Sequence, residues 1–154
     1  MSLHARRSVL GVNIWDDEWG EQAEDWSGGG LLAKRLSPGG WEHMLGASLY
    51  ELDPGDFAVY HAHHGSEELL IVLRGRPTLR TPAGERVLDE GETVHFTTGP
   101  DGAHGLRNDT NEPVRYVMAG IRVTPEICEY PDTNQITGQT KHGIWFSYDL
   151  TPTD

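Results

Sequence analysis

Two histidines and a glutamate fall in one short window of this chain, His61, His63 and Glu68, and a further histidine follows at His104. Three imidazole nitrogens and one carboxylate oxygen are a donor set that can hold one divalent transition metal. Glu68 lowers the net charge of such a site and favours a hard or borderline ion such as iron, manganese or nickel. Zinc stays in the set, because affinity alone favours zinc over manganese or iron. An octahedral ion held this way keeps open positions for water, dioxygen or a chelating substrate. The chemistry within reach is Lewis-acid catalysis or, with iron, oxygen activation.

These side chains need a rigid frame. His61 and His63 are spaced i and i+2 on a predicted strand from Phe57 to His63, so both point to one sheet face. The turn residues His64, Gly65 and Ser66 reverse the chain. Glu68 then opens a very apolar strand that runs to Arg74. Alternation puts Leu70 and Val72 on the face of Glu68, as a barrel interior requires. His104 has to arrive from a separate strand pair. Further strands are predicted over Met44–Leu52, Pro77–Arg80, Arg86–Leu88, Thr93–Thr97, Gly105–Asn108 and Val114–Val123. Turns at Asp53-Pro54-Gly55, Thr81-Pro82-Ala83-Gly84, Asp89-Glu90-Gly91 and Asn111-Glu112-Pro113 separate them. With 19 Gly and 9 Pro spread along 154 residues and few helix signals, the pattern reads as an all-β barrel or sandwich.

The ends read differently. Residues 1–40 carry Trp15, Trp19 and Trp26, acidic residues and the run Gly28-Gly29-Gly30, and read as an N-terminal arm. The spacing of Trp15 and Trp19 allows one short amphipathic turn. Tryptophans in such an arm most often cover the core or a partner subunit. Residues 41–125, which begin at Trp41, read as the barrel core. Residues 126–154 read as an extension packing on it, with the segment Ile144-Trp145-Phe146 returning to the sheet.

The chain has the length of one domain with a core of its own. Cys128 is the only cysteine, so no intrachain disulfide can form, which fits a reducing cytoplasm. Met1 to Arg7 contains two arginines but no long apolar run follows, so no signal peptide is expected. No stretch reaches the ~18 apolar residues of a membrane helix. A net charge of −12 argues against nucleic acid and against an anionic membrane surface as partners. A locally basic pocket is still expected from Arg74, Arg76, Arg80, Arg107 and Arg115.

A lone His-x-His arises by chance in a chain with eight histidines. Here it comes with Glu68, flanking glycines and a second glycine-led stretch from Gly91 to Asn108. The pattern Gly55-x5-His61-x-His63-x4-Glu68-x6-Gly75 resembles the first motif of the cupin superfamily at every position, and Gly91 through Asn108 resembles the second. The likeness spans about residues 46 to 123. It implies a small single-domain jelly-roll barrel, a double-stranded β-helix, with His61, His63, Glu68 and His104 as metal ligands. The run Gly99-Pro100-Asp101-Gly102-Ala103-His104 and the tail Tyr130-Pro131-Asp132 resemble a subgroup of small cupins. The second motif departs from the family pattern. Thr97 stands where a proline is usual, the loop is longer, and His104 follows Gly102 after one residue. His95 is the alternative fourth ligand, and motif position favours His104.

Other residues have plainer readings. Glu67 faces away from Glu68 and is solvated, His64 lies in the turn, and Tyr60 packs or meets a partner. Cys128 is an inert thiol, and Tyr50, His43, Tyr116, Met118 and Arg80 are candidates to line the pocket. No nucleophile elbow, phosphate-binding loop or dinucleotide fingerprint is present. The expected function is a metal-dependent enzyme acting on a small polar or aromatic molecule, of dioxygenase or lyase and isomerase type. The alternative is a non-catalytic module that binds a small ligand or sugar. A storage protein would have no use for a metal site. The apolar run Leu69-Leu70-Ile71-Val72-Leu73 predicts covered faces, and with them a homodimer.

Overall fold

The computed structural model describes residues 11–19, 23–24, 30–143 and 145–150. Met1 to Arg7, Trp26, Gly28, Gly29 and Ile144 lie outside them. Among the described residues thirteen strands run in chain order. They are β1 (Ala23–Glu24), β2 (Gly30–Arg35), β3 (Leu45–Leu52), β4 (Phe57–His63), β5 (Glu68–Arg74), β6 (Thr78–Thr81), β7 (Gly84–Val87), β8 (Thr93–Phe96), β9 (His104–Arg107), β10 (Val114–Ile121), β11 (Glu126–Tyr130), β12 (Gln135–Gln139) and β13 (Trp145–Asp149). The one helical element among the described residues is a single 3₁₀ turn, Pro100–Gly102. No helix there is long and apolar enough to cross a membrane.

Two antiparallel sheets face each other. One has the order β1-β2-β3-β10-β5-β8 and the other β13-β12-β11-β4-β9-β6-β7. This is the all-β architecture expected from the strand series, in the jelly-roll form that the resemblance implied. β4 and β5 have the predicted bounds, and each is assigned to a different sheet because the turn between them crosses the barrel. Alternation on β5 holds as predicted: Leu70 and Val72 are 0% and 1% exposed, while Leu69 is 40% exposed. With Leu52, Leu79, Leu88, Phe96, Leu106, Val114 and Tyr116 they form the core between the sheets. Burial of these side chains is the main stabilising term of such a barrel.

Residues 30–35 and 126–130, outside the barrel core read from the sequence, pair with its strands. β2 pairs with β3, and β11 pairs directly with β4. Upstream of β2, the segment around Trp15 forms a turn rather than a helix. Arg115, 1% exposed, anchors it. Its guanidinium donates to the Ile14 carbonyl (3.0 Å), Asp17 (2.7 Å) and Glu51 (2.8 Å), and it lies 5.0 Å from the Trp19 ring. Trp19 thus covers the barrel wall, and Trp15 lies 5.7 Å from the Arg74 guanidinium.

Candidate metal centre

The site is assembled from both sheets. β4 carries His61 and His63, and β9 begins with His104, which is the ladder partner of His61. Glu68 opens β5 on the facing sheet. Between Ala58 and His61 the β4–β9 register shifts, a bulge that re-aims the end of β4. The longer second-motif loop is absorbed by the 3₁₀ turn. Gly102 N–H donates to Gly99 O (3.0 Å) and Ala103 N–H to Pro100 O (3.1 Å), so the chain re-enters the sheet with His104 opposite His61. A Cβ on Gly102 would overlap the Thr97 carbonyl, so only glycine fits there. Gly120 on β10 has a similar duty beside Glu68. A Cβ there would stand 2.8 Å from the Glu67 carbonyl and 3.1 Å from Glu68 Cγ.

The donor atoms converge. His61 Nε2 and His63 Nε2 are 3.1 Å apart, His63 Nε2 and Glu68 Oε2 3.4 Å, and His104 Nε2 and Glu68 Oε2 3.2 Å. His61 Nδ1–H donates to the Val59 carbonyl (2.8 Å) and His104 Nδ1–H to the Gly102 carbonyl (2.9 Å). Those bonds select the tautomer and leave each Nε2 as a bare lone pair directed inward. Glu68 Oε2 and His104 Nε2 are buried and have no hydrogen-bond partner. Two buried acceptors facing each other is a costly arrangement unless a cation stands between them. Donors about 2.0–2.2 Å from one ion sit roughly 3–3.5 Å from their neighbours, which is the spacing observed. His61, Glu68 and His104 therefore fit a divalent metal, with His63 Nε2 beside them, while His63 also forms a second group of possible donors with Glu126 and Cys128.

The electrostatics follow from this crowding. Burial, with His104 and His63 alongside, pulls the His61 imidazole down to about 4. For His63 burial works in the same direction, but its contacts to Cys128, Glu126 and Glu68 outweigh it and push the imidazole up to about 12. Burial would raise the Glu68 carboxyl, yet His104 and His63 hold it well below the ordinary carboxylate range. The cluster is thus a buried carboxylate among imidazoles, one of which readily keeps a proton.

Cys128 and Glu126 belong to this site although the sequence reading left Cys128 inert and did not single out Glu126. Cys128 is the β11 ladder partner of His63, and its Sγ lies 3.2 Å from His63 Nδ1. Glu126 Oε1 is 3.8 Å from the same nitrogen. Its carboxylate accepts from Gly65 N–H (3.0 Å), Ile127 N–H (3.1 Å) and the Ser66 hydroxyl. Only the pairing of β11 with β4 brings them there, and nothing in local spacing announces that pairing.

The other candidates sort cleanly. Tyr50, Tyr116 and Met118 line a cavity of about 290 Å³ over the donors, together with Tyr130 and Leu31. Burial pushes the Tyr50 phenol up, with Ser48 opposing it. His95 is on the outer face of β8, exposed, 3.0 Å from the equally exposed Glu67. His64 is exposed and meets Glu129 at 2.9 Å. His43 is exposed and Tyr60 lies under the Arg80 guanidinium, 3.9 Å from its centre. Asn108, carried by the second motif, is 1% exposed and structural: its amide donates to the Leu52 and Glu112 carbonyls at 2.9 and 2.8 Å.

The expectation of a basic pocket is overturned. None of Arg74, Arg76, Arg80, Arg107 and Arg115 lines the cavity. Arg76 pairs with Asp89, Arg80 with Asp132, Arg107 with Glu85 and Asp109, and Arg115 with Glu51 and Asp17. In a chain with twice as many carboxylates as cationic side chains, four of these five arginines pair with acids away from the cavity, and Arg74 lies against Trp15.

Comparison with known proteins agrees with this geometry. The Cupin domain family model matches residues 48–120. A candidate sugar phosphate isomerase from Acidithiobacillus ferrooxidans superposes with a TM-score of 0.72 at 24% identity, over 82% of this chain and 80% of that one. A sugar phosphate isomerase of the cupin superfamily from Silicibacter pomeroyi gives 0.69 at 24% identity, over 80% of each chain. A predicted oxalate decarboxylase from Thermotoga maritima gives 0.56 at 18% identity, over 62% of this chain and 83% of that one. At these identities the likeness concerns the fold. No curated protein matches the chain. By the family match and the two motifs, residues 48–120 carry a Cupin domain, within a fold of two facing antiparallel sheets.

Proposed function

We propose that the chain is a metal-dependent enzyme acting on a small molecule bound over His61, His63, Glu68 and His104. The observation that carries this reading is the pair of buried, unpartnered acceptors, Glu68 Oε2 and His104 Nε2, held 3.2 Å apart at the floor of a cavity. The four side chains would hold one divalent ion, iron, manganese, nickel or zinc. When bound, such an ion supplies Lewis acidity or, as iron, a reaction with dioxygen. The residues of the chain do the rest. Glu68 offsets part of the ionic charge, Val59 and Gly102 fix two imidazole tautomers, and the tyrosine-lined wall keeps bulk water from the reacting face. Oxygenase chemistry and lyase or isomerase chemistry are the two branches.

One observation favours the second reading, a ligand-binding module without catalysis. Apart from the four donors, the lining side chains with an exchangeable proton are Tyr50, Tyr116 and Tyr130, none of them an ordinary general base. Elemental analysis of the purified protein beside a His61→Ala/His63→Ala double variant tests the site. About one equivalent of metal, absent from the variant, is the expected result; equal metal in both would refute it. Product formation under air and under argon then separates enzyme from module.

A further inference from the structure

His63 differs from the other two imidazoles of the cluster in what its second nitrogen meets. His61 Nδ1–H and His104 Nδ1–H donate to backbone carbonyls, those of Val59 and Gly102. His63 Nδ1 instead faces two side chains that are metal ligands in their own right. Cys128 Sγ lies 3.2 Å from it and Glu126 Oε1 3.8 Å. The nitrogen, the sulfur and a carboxylate oxygen all lie within 4.8 Å of one another. Such donors on one tetrahedral zinc ion stand roughly 3.5 Å apart. The set is held from outside. Glu126 is fixed by Gly65 N–H, Ile127 N–H and the Ser66 hydroxyl, and Cys128 by its ladder position opposite His63. The set also has an approach. His63, Glu126 and Cys128 line a cavity of about 350 Å³ together with Trp41 and Trp145. His63 and Glu68 line both this cavity and the one over the first donors.

We propose that His63 Nδ1, Glu126 and Cys128 form a second metal site, which takes a borderline or soft ion such as zinc. Thiolate and imidazole favour ions of that kind, while the sulfur-free set of His61, Glu68 and His104 also suits harder ones. That first set has three donors without His63, so both sets can be filled in one chain. His63 then stands between two ions, with Nε2 toward one and Nδ1 toward the other. Loading the second set releases the Cys128 thiol proton and the proton on His63 Nδ1 to solvent. Three protein donors leave a fourth position open to water or a ligand atom from the cavity. Without an ion the same two groups orient His63. The second site does not depend on the ion proposed above for the first.

Titration of the metal-free, reduced protein with cobalt(II) under argon, read by absorption, tests the proposal. About two equivalents should bind per chain, and one of them should bring a thiolate-to-cobalt charge-transfer band in the near ultraviolet. Cys128→Ser, which replaces only the sulfur, should lose that band and that equivalent and keep the other. His61→Ala/His104→Ala should keep the band and lose the other equivalent. Saturation without the band, or a band of equal strength in Cys128→Ser, would overturn the second site. The band at a single equivalent, kept in His61→Ala/His104→Ala, would uphold it and refute the metal reading of the first set instead.

Discussion

Cys128 faces His63 across the β11–β4 ladder, with its sulfur 3.2 Å from the imidazole nitrogen that points away from the donor cluster. Together with Glu126 it sets how His63 presents its other nitrogen. Outer partners of this kind tune metal affinity by about 10–100-fold. Glu126→Gln and Cys128→Val should each weaken metal binding by about tenfold, read by competition with a chromophoric chelator. Cys128→Ser keeps a hydrogen-bonding group and should retain most of the affinity. Unchanged affinity in both Glu126→Gln and Cys128→Val would remove these residues from the site.

Gly120 gives a test of the facing sheet. Gly120→Val forces a side chain against the Glu67 carbonyl and Glu68 Cγ, 2.8 and 3.1 Å from the added Cβ. The carboxylate should be displaced while the three histidines stay on the other sheet. Metal affinity should fall at least about tenfold with the β-sheet circular dichroism retained. Wild-type affinity would show that Glu68 is not a donor.

Acidity should act on the metal-free protein from both sides. His61 has its folded value lowered from 6.5 to about 4, so falling pH protonates the unfolded chain first and costs stability across that window. Glu68 and Glu126, both lowered, add a loss as pH drops through the carboxylate range. His63, raised to about 12, contributes stability that is complete below 6.5 and is lost as pH rises above it. Thermal midpoints of chelator-treated protein should therefore peak near pH 6.5. His63→Gln should flatten the alkaline limb. A wild-type midpoint that climbs steadily to pH 9 would contradict this.

The core makes a simpler demand. Leu70 is fully buried between the sheets directly beyond Glu68 on the same strand face. Leu70→Ala should cost about 2–5 kcal/mol, measured by urea unfolding at fixed metal content. A cost under about 1 kcal/mol would mean that the interior is not packed as described.

Self-association is the last expectation open to direct measurement. Met44, Leu45 and Ile121 are 76%, 60% and 48% exposed where β3 and β10 end together, and Trp145 and Tyr148 are 48% and 64% exposed on the edge strand β13. Apolar surface of this kind is usually covered. We expect sedimentation at micromolar concentration as twice the 17.1 kDa chain. A single species of 17.1 kDa would refute the dimer.

Much of the frame was legible in the sequence because alternation and turn chemistry are local. Phe57–His63 and Glu68–Arg74 were bounded by the turn His64-Gly65-Ser66 and by Gly75, and the fold brings together the side chains that the motif singled out. The hairpin of β11 and β12 was not legible. Pro125 and Pro131 flank β11 and read as loop punctuation, while β12 buries Thr137 and Gly138 rather than large apolar side chains. Its contribution to the site, Cys128 and Glu126 behind His63 and Tyr130 over His61, depends on a pairing across more than sixty residues, which no window of sequence contains. The charge distribution misled for a related reason. Arginines clustered in sequence are scattered in space, with Arg76, Arg80 and Arg107 each beside an acid on the outer surface and Arg115 buried against Glu51.

His61, His63 and His104 stand on one sheet and Glu68 on the other. An ion gripped by all four is therefore a rivet between two halves of the molecule that otherwise meet through side-chain packing. Its grip is felt far from the pocket, as resistance of the two layers to parting. Stability rises with the logarithm of free metal above the dissociation constant. Amide exchange in β4 and β5 should slow together when it is added, although these strands share no ladder.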